Sequence, residues 1–212
     1  MPITSRDDEL LKALALKVRV LSLSQIAAAW WAPTPAGRSN ARRRLAVFIR
    51  AGLLLSAHFQ VRPLPSLTAP VATWRPDTPP PNFGSVAWKL QSRWTSPPRR
   101  TTVYFVSRKG ANQYGGRARG AIKREFQVTH DLGVAQLYLN LLRTDPDAAA
   151  QWVGEDVLRY SRRREKIPDA VLMAPNQRTP RLVIEFGGAY DVRRLRKFHR
   201  DCACRGLPYE IW

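Results

Sequence analysis

The sequence predicts a mixed α/β (α+β) chain in two parts. Three features carry that expectation: short amphipathic helical patterns within the first fifty residues, strand-like apolar runs after them, and a final stretch whose order reads α, β, β, β, α, β. A length of 212 residues suits one or two domains. An apolar fraction of 44% is too high for a disordered chain. No apolar run approaches the roughly 18–20 residues of a membrane span. Residues Met1 to Leu10 carry acids before the first apolar stretch, unlike a secretory signal. Cys202 and Cys204 are too few and too close for a disulfide framework. The expected setting is soluble and cytoplasmic.

Residues 7–17 read as a helix, with acids in the first turn, where the helix dipole favours them, and a stripe of Leu10, Leu11, Leu14 and Ala15. Ser22 precedes a second helix through Trp31, stopped by Pro33 and Pro35. Ser39 caps a third helix to about Ala51, ended by Gly52. In that helix Ala41, Leu45, Phe48 and Ile49 share one face. At about 100° per residue the opposite face carries Asn40, Arg43, Val47 and Arg50, with Arg42 and Arg44 on its flanks. Leu53–Leu55 and Ala57–Arg62 follow as an extended pair. Three helices, the third basic outside, then a β-ribbon is the order of a winged helix-turn-helix.

The Pro-rich stretch 63–82 reads as a long wing loop or a linker. Ser85–Trp94 and Thr101–Val106 read as strands, and residues 107–110 as a turn. Residues 115–125 form a basic, Gly-rich connector, either phosphate-tracking or a solvated hinge. A new pattern begins near Val128, where Thr129-His130-Asp131 starts a helix. The expected domains are therefore 1–114, a linker at 115–127, and 128–212.

The formal net charge is +19, from 35 Lys and Arg against 16 Asp and Glu. Residues 1–62 hold 10 cations and 3 acids, residues 63–125 hold 11 and 2, and residues 126–212 hold 14 and 11. So +16 of the +19 lies in the first 125 residues, and 28 of the cations are Arg. Arg grips phosphate bidentately and stacks on bases, which points to double-stranded DNA as partner. A membrane surface or an acidic protein are the other partners such a field suits. The DNA-binding candidates are Ser39, Asn40, Arg42, Arg43, Arg44 and Arg50 on the third helix, with Arg117, Arg119 and Lys123 from the connector. Arg43 or Asn40 would read base edges, while Arg42 and Arg44 would hold phosphates. The plain alternative is a solvated helix face. Arg162-Arg163-Arg164 reads first as a solvated loop.

Pro168-Asp169 heads one apolar strand and Glu185 lies inside the next, 16 residues on. If those strands pair, the carboxylates meet at one end of a sheet. Such a pair can hold Mg²⁺, with Glu155 as a third ligand, to polarise a phosphoryl group and activate water. The alternative is structural: a strand-end cap and a buried ion pair with Arg181, Arg193 or Arg194. DNA binding itself requires no cofactor. Cys202 is expected in the core and Cys204 as an exposed thiol; their spacing, even with His199, does not suit zinc. His130 is expected to hydrogen-bond at a helix start, and the seven tryptophans to anchor cores or interfaces.

Pro168-Asp169 followed by Glu185, within the αβββαβ order of residues 126–212, resembles the PD-(D/E)xK restriction-endonuclease-like superfamily. The resemblance implies a metal-dependent phosphodiesterase fold. The chain departs from the motif at its third position, where Gly187 stands in place of the Lys that orients water and stabilises phosphate charge. Lys166 and Lys197 are the lysines nearby, and Lys197 is the candidate substitute.

Most of the chain is also similar to the replication-relaxation family of plasmid and mobile-element proteins. That likeness rests on the winged-helix opening and on Val103-Tyr104-Phe105-Val106 leading into Lys109-Gly110-Ala111. It rests too on His130-Asp131-Leu132 opening a helix that ends in Leu141-Leu142-Arg143, and on Ile167-Pro168-Asp169-Ala170 followed by Glu185. It implies a DNA-binding domain joined to a nuclease-like domain.

The resulting expectation is a nucleoid-associated DNA-binding protein of a mobile element, serving replication, transposition or defence. Its second domain would act in binding, homodimerisation or docking of proteins from the same element, with no membrane partner. The rival is a Mg²⁺-dependent endonuclease or nickase using Asp169, Glu185 and Glu155 as ligands with Lys197 displaced. A third class, a protein-interaction adaptor, would show little salt-sensitive DNA binding.

Overall fold

The computed structural model describes residues 2–117, 125–161, 167–177 and 179–212. Arg119, Lys123, Arg162-Arg163-Arg164 and Lys166 lie outside the described residues. The helices are α1 (Ser5–Lys12), α2 (Leu23–Trp30), α3 (Pro35–Arg50), α4 (Phe83–Ser92), α5 (Arg108–Gln113), α6 (Glu125–Thr144), α7 (Pro146–Ala150), α8 (Glu155–Ser161) and α9 (Val192–Ala203). The strands are β1 (Leu21–Ser22), β2 (Leu54–Val61), β3 (Ala72–Trp74), β4 (Arg99–Val106), β5 (Trp152–Gly154), β6 (Ala170–Leu172), β7 (Leu182–Glu185) and β8 (Tyr209–Ile211).

The chain forms two compact units that interleave in sequence. Unit 1 is Met1–Pro63 with Pro98–Thr144, and unit 2 is Leu64–Pro97 with Asp145–Trp212. The expected boundaries at 114 and 128 ran consecutively instead. Hydrogen bonds explain the exchange. The Pro-rich segment supplies β3, which pairs with β8. The helix assigned to the second domain, α6, is tied to α2 where Gln25 Nε2 donates to the Leu132 carbonyl at 2.9 Å.

In unit 1 a capping box opens α1: Thr4 Oγ1 accepts from Asp7 N at 3.3 Å, and Asp7 Oδ2 accepts from Thr4 N at 3.0 Å. A π-helical turn, Ala13–Lys17, extends α1. Ser22 and Gln25 form the equivalent box for α2. Thr34, rather than Ser39, caps α3, accepting from Gly37 N at 3.1 Å. Pro35 is the first residue of α3, not a stop, because its missing N–H would have had no helical partner there. Gly52, at φ +72°, ends the helix as expected. Ala41, Leu45 and Phe48 face inward.

The first sheet has the order β1-β4-β2, antiparallel throughout, with β2 running alongside β4 from Leu54↔Val106 to Val61↔Arg99. The expected turn at 107–110 is instead the capped start of α5, where Ser107 Oγ accepts from Gly110 N at 3.0 Å. Gly110 is needed there because a Cβ would stand 2.3 Å from the Leu53 carbonyl oxygen. α6 begins at Glu125, so His130 lies within the helix rather than at its start.

Unit 2 is built on a five-stranded sheet, β3-β8-β7-β6-β5. β5, β6 and β7 run antiparallel, β8 is parallel to β7 after the α9 crossover, and β3 closes the edge antiparallel to β8. Residues 85–94, expected as a strand, lie largely within α4, Phe83–Ser92. Two features decide for a helix: Asn82 accepts from Ser85 N at 3.1 Å, and Val86, Ala87 and Leu90 are buried at helical spacing. These side chains join Leu195, Phe198 and Cys202 of α9 in one core with Val171, Val183, Tyr209 and Ile211. Trp30, Trp74 and Trp152 are buried, as expected, but Trp88 is 69% exposed. Cys202 is buried and Cys204 exposed, also as expected.

Asp7 is wholly buried, and Arg44 reaches its Oδ2 through Nε at 3.1 Å and through Nη2. Burial pushes the Asp7 carboxyl up, but the Arg44 and Thr4 donors outweigh it and hold it below the usual range. The stabilisation is therefore present above the ordinary carboxylate value near about 4 and lost as pH falls through the lowered one. Arg44→Ala should cost about 3 kcal/mol at neutral pH and flatten the acid limb of the stability profile. Urea denaturation at neutral and acidic pH measures both.

Candidate functional site

The register of unit 2 brings three acidic positions into one row. Gly154, Ala170 and Ile184 are paired across β5, β6 and β7. One step further along the same register, Glu155 stands opposite Asp169, and Asp169 opposite Glu185. The Glu155 N–H donates to the Asp169 carbonyl at 2.9 Å, consistent with that step. Cross-strand neighbours of this kind have Cβ atoms about 4.5–5.5 Å apart.

Each carboxylate in the row has protein donors. Asp169 Oδ2 accepts from the Phe186 backbone N–H at 2.7 Å. Glu185, only 3% exposed, accepts from the Tyr190 hydroxyl at 2.8 Å. That hydroxyl in turn accepts from Arg194 Nη2 at 2.8 Å, and the guanidinium lies 3.7 Å from the Tyr190 ring centre. Burial pushes the Tyr190 hydroxyl well above its ordinary range; the charges of Glu185 and Asp169 add to this, and Arg194 opposes it. Glu155 turns away to Arg159, one helical turn on, with Arg159 Nε at 3.2 Å.

Lys197 is exposed on α9, while Arg194, one turn earlier, is the cation that reaches the cluster. Arg194, not Lys197, is thus the α9 cation hydrogen-bonded to the Tyr190 hydroxyl beside Glu185. Arg194 was among the partners the sequence offered. Tyr190 was not, and its only signal was an aromatic residue five positions after Glu185.

Position 187 is closed. A Cβ there would lie 2.8 Å from both Leu90 Cδ atoms and 3.1 Å from Ile211 Cγ2. Arg93, at the end of α4, donates to the Gly187 and Trp212 carbonyls and lies 5.2 Å from the Phe186 ring centre. Burial pulls the Arg93 guanidinium down to about 10, so it remains charged at neutral pH. Glu185 and Asp169 are thus engaged by protein donors and Glu155 by Arg159. Among the described residues no three acidic, His or Cys groups are arranged around a metal position.

In unit 1, Ser39, Asn40, Arg42, Arg43 and Arg50 are exposed on α3. Arg43 Nη2 donates to Asn40 Oδ1, one turn before it. Arg44 differs from its neighbours: besides Asp7 it donates to the Pro2 carbonyl at 2.7 Å and packs 4.9 Å from the Phe48 ring centre. It is a structural tie between α1 and α3. The positive charge of Arg42 acts on the Tyr104 hydroxyl of β4, so α3 and the β2–β4 hairpin share that flank. On the hairpin, His58 Nδ1 lies 3.1 Å from Thr102 Oγ1, and Arg99 and Arg100 are exposed near its far end. Arg117 is exposed.

Comparison with protein-family models, with curated proteins and with solved structures returned no match. Among the described residues no helix is long and apolar enough to cross a membrane.

Two variants probe the closed site. Gly187→Lys should destabilise unit 2 by about 1–3 kcal/mol through overpacking and create no metal-dependent activity, measured by urea melts and a plasmid-nicking assay. Tyr190→Phe should cost about 2 kcal/mol by removing a donor from buried Glu185. In the wild type the raised Tyr190 value makes stability fall as pH rises above about 10. The variant should lose part of that alkaline dependence, read from denaturation at neutral and alkaline pH.

Proposed function

We propose that the protein binds double-stranded DNA through unit 1, with α3 presented to the major groove and the β2–β4 hairpin beside it on the backbone. The observation that carries this reading is the segregation of charge. Unit 1 holds 19 Lys and Arg against 5 Asp and Glu, while unit 2 holds 16 against 11. Of the 5 acids in unit 1, Asp7 and Asp131 are buried and tied to Arg44 and Arg19. The surface of unit 1 is therefore nearly all cationic, which is the footprint of a polyphosphate partner.

Further support comes from chain order. Helix, short strand, helix, helix and then the antiparallel pair β2 and β4, joined through the 64–97 segment that enters unit 2, with the sheet ordered β1-β4-β2, suits a winged helix-turn-helix. Arg42, Arg43, Arg50 and Ser39 are exposed on α3. Arg44 has no part in the contact, because its donors are committed to Asp7 and Pro2.

In the same reading unit 2 is a nuclease-like domain of the PD-(D/E)xK kind that serves in assembly rather than cleavage. An antiparallel trio of strands with a fourth joined in parallel through a helix supports the likeness. The Tyr190–Glu185 bond and the filled space at Gly187 favour a structural role for the acids. Kinship with the replication-relaxation proteins, and a role on a mobile element, belong to this proposal.

Mobility shifts at several salt concentrations test it. Arg43→Ala should cost about 1–3 kcal/mol and relax sequence preference, whereas Arg42→Ala should weaken all duplexes alike. Arg44→Ala, corrected for its lost stability, should leave affinity unchanged. Absence of salt-sensitive duplex binding would overturn the reading. Metal-dependent plasmid cleavage that Asp169→Ala abolishes would restore the nuclease.

A further inference from the structure

A recess of about 390 Å³ lies beside α3, lined by Arg6, Trp31, Asn40, Arg43, Arg44 and Val47. Three of its six lining residues are arginines, and none is acidic. The nearest carboxylate, Asp7, is wholly buried and already bound to Arg44. The Arg6 guanidinium lies over the Trp31 ring, 4.2 Å from its centre. Its Nε is buried, and among the described residues it has no hydrogen-bond partner. Arg43 is steadied by Asn40, a neutral group that fixes its direction without cancelling its charge.

The Arg6 and Arg43 guanidiniums, the Asn40 amide and the Trp31 ring line this one recess, while Arg44 at its edge is held by Asp7 and Pro2. We propose that this recess seats a single phosphate group, in the DNA-bound protein one phosphate of the backbone beside the groove that receives α3. The assignment of the phosphate to DNA rests on the function proposed above. Anion capture by the recess rests on its own geometry. Arg6 and Trp31 thereby join the interface from α1 and the end of α2, outside every element that the sequence pattern marked for contact. The fork of a guanidinium matches two phosphate oxygens, and Trp31 and Val47 offer apolar contact to the attached sugar.

Fluorescence anisotropy on short labelled duplexes over a salt series tests this, comparing wild type, Arg6→Gln and Arg43→Gln, with thermal melts as the folding control. A second arm titrates wild type and Arg6→Gln with inorganic phosphate and with a mononucleotide. The expected result is a uniform loss of affinity across duplex sequences in Arg6→Gln, with a salt slope shallower by about 0.9. Should Arg6→Gln fail to fold, Arg43→Gln serves as the second lining variant: its slope should fall by the same amount on every duplex, in addition to the sequence preference that it relaxes. Tight duplex binding with an unchanged slope in the variants overturns the recess as a phosphate seat and leaves the DNA reading standing. Arg6-dependent binding of free phosphate or nucleotide without duplex binding keeps the seat and overturns the DNA reading. Binding of neither overturns both.

Discussion

A carboxylate withdrawn from water must be surrounded by donors, and both units are organised around that constraint. In unit 1, Asp7 draws Thr4 and Arg44 to itself and so locks α1 against α3. Asp131 does the same for α6 through Arg19, 3.3 Å away. In unit 2, Glu185 takes the Tyr190 hydroxyl, Arg194 backs that hydroxyl, and Asp169 takes the backbone of Phe186. Removing any one donor leaves a charge in a medium that solvates it badly. The same rule sorts the cations: those that answer a buried acid are structural, and those left over define the outward field.

That sorting changes how the basic helix is understood. Arg42, Arg43 and Arg44 are adjacent in sequence, and a helical projection puts all three on or beside the outward face. In the fold they have separate employment. Arg42 is exposed, Arg43 is held by Asn40, and Arg44 is spent on Asp7. Sequence position could not reveal the difference, because Asp7 lies 37 residues away.

Much of unit 1 was legible from local chemistry. Ser22 as a cap, Gly52 as a stop, the inward face of α3 and the strand at Thr101–Val106 all follow from short-range rules that tertiary contacts did not override. The acidic row was legible too, since its strands are short, apolar and separated by a turn. What escaped was set by distant partners. Three residues of β3 between Pro70 and Pro76 show no pattern of their own; they become a strand because β8 offers its edge. α4 has strand-forming residues and helix-forming spacing, and the spacing prevailed because Val86, Ala87 and Leu90 had a core to enter. Tyr190 could not be singled out because nothing local distinguishes a tyrosine that will bond a buried glutamate. Within a glycine pair, Gly187 reads as a turn residue; its real constraint is the Leu90 side chain arriving from nearly a hundred positions earlier.

The interleaved units have a consequence for biosynthesis. The chain passes between them at 63–64, 97–98 and 144–145. As it leaves the ribosome, unit 1 is complete once α6 has emerged. The 64–97 segment must then wait, with Trp74 and Leu90 uncovered, until β7, α9 and β8 are made. No single cut separates the two units, and a chain truncated after α6 would hold all of unit 1 with a sticky apolar loop, 64–97, inside it. Exchange of that loop between two nascent copies is the characteristic hazard of such an arrangement.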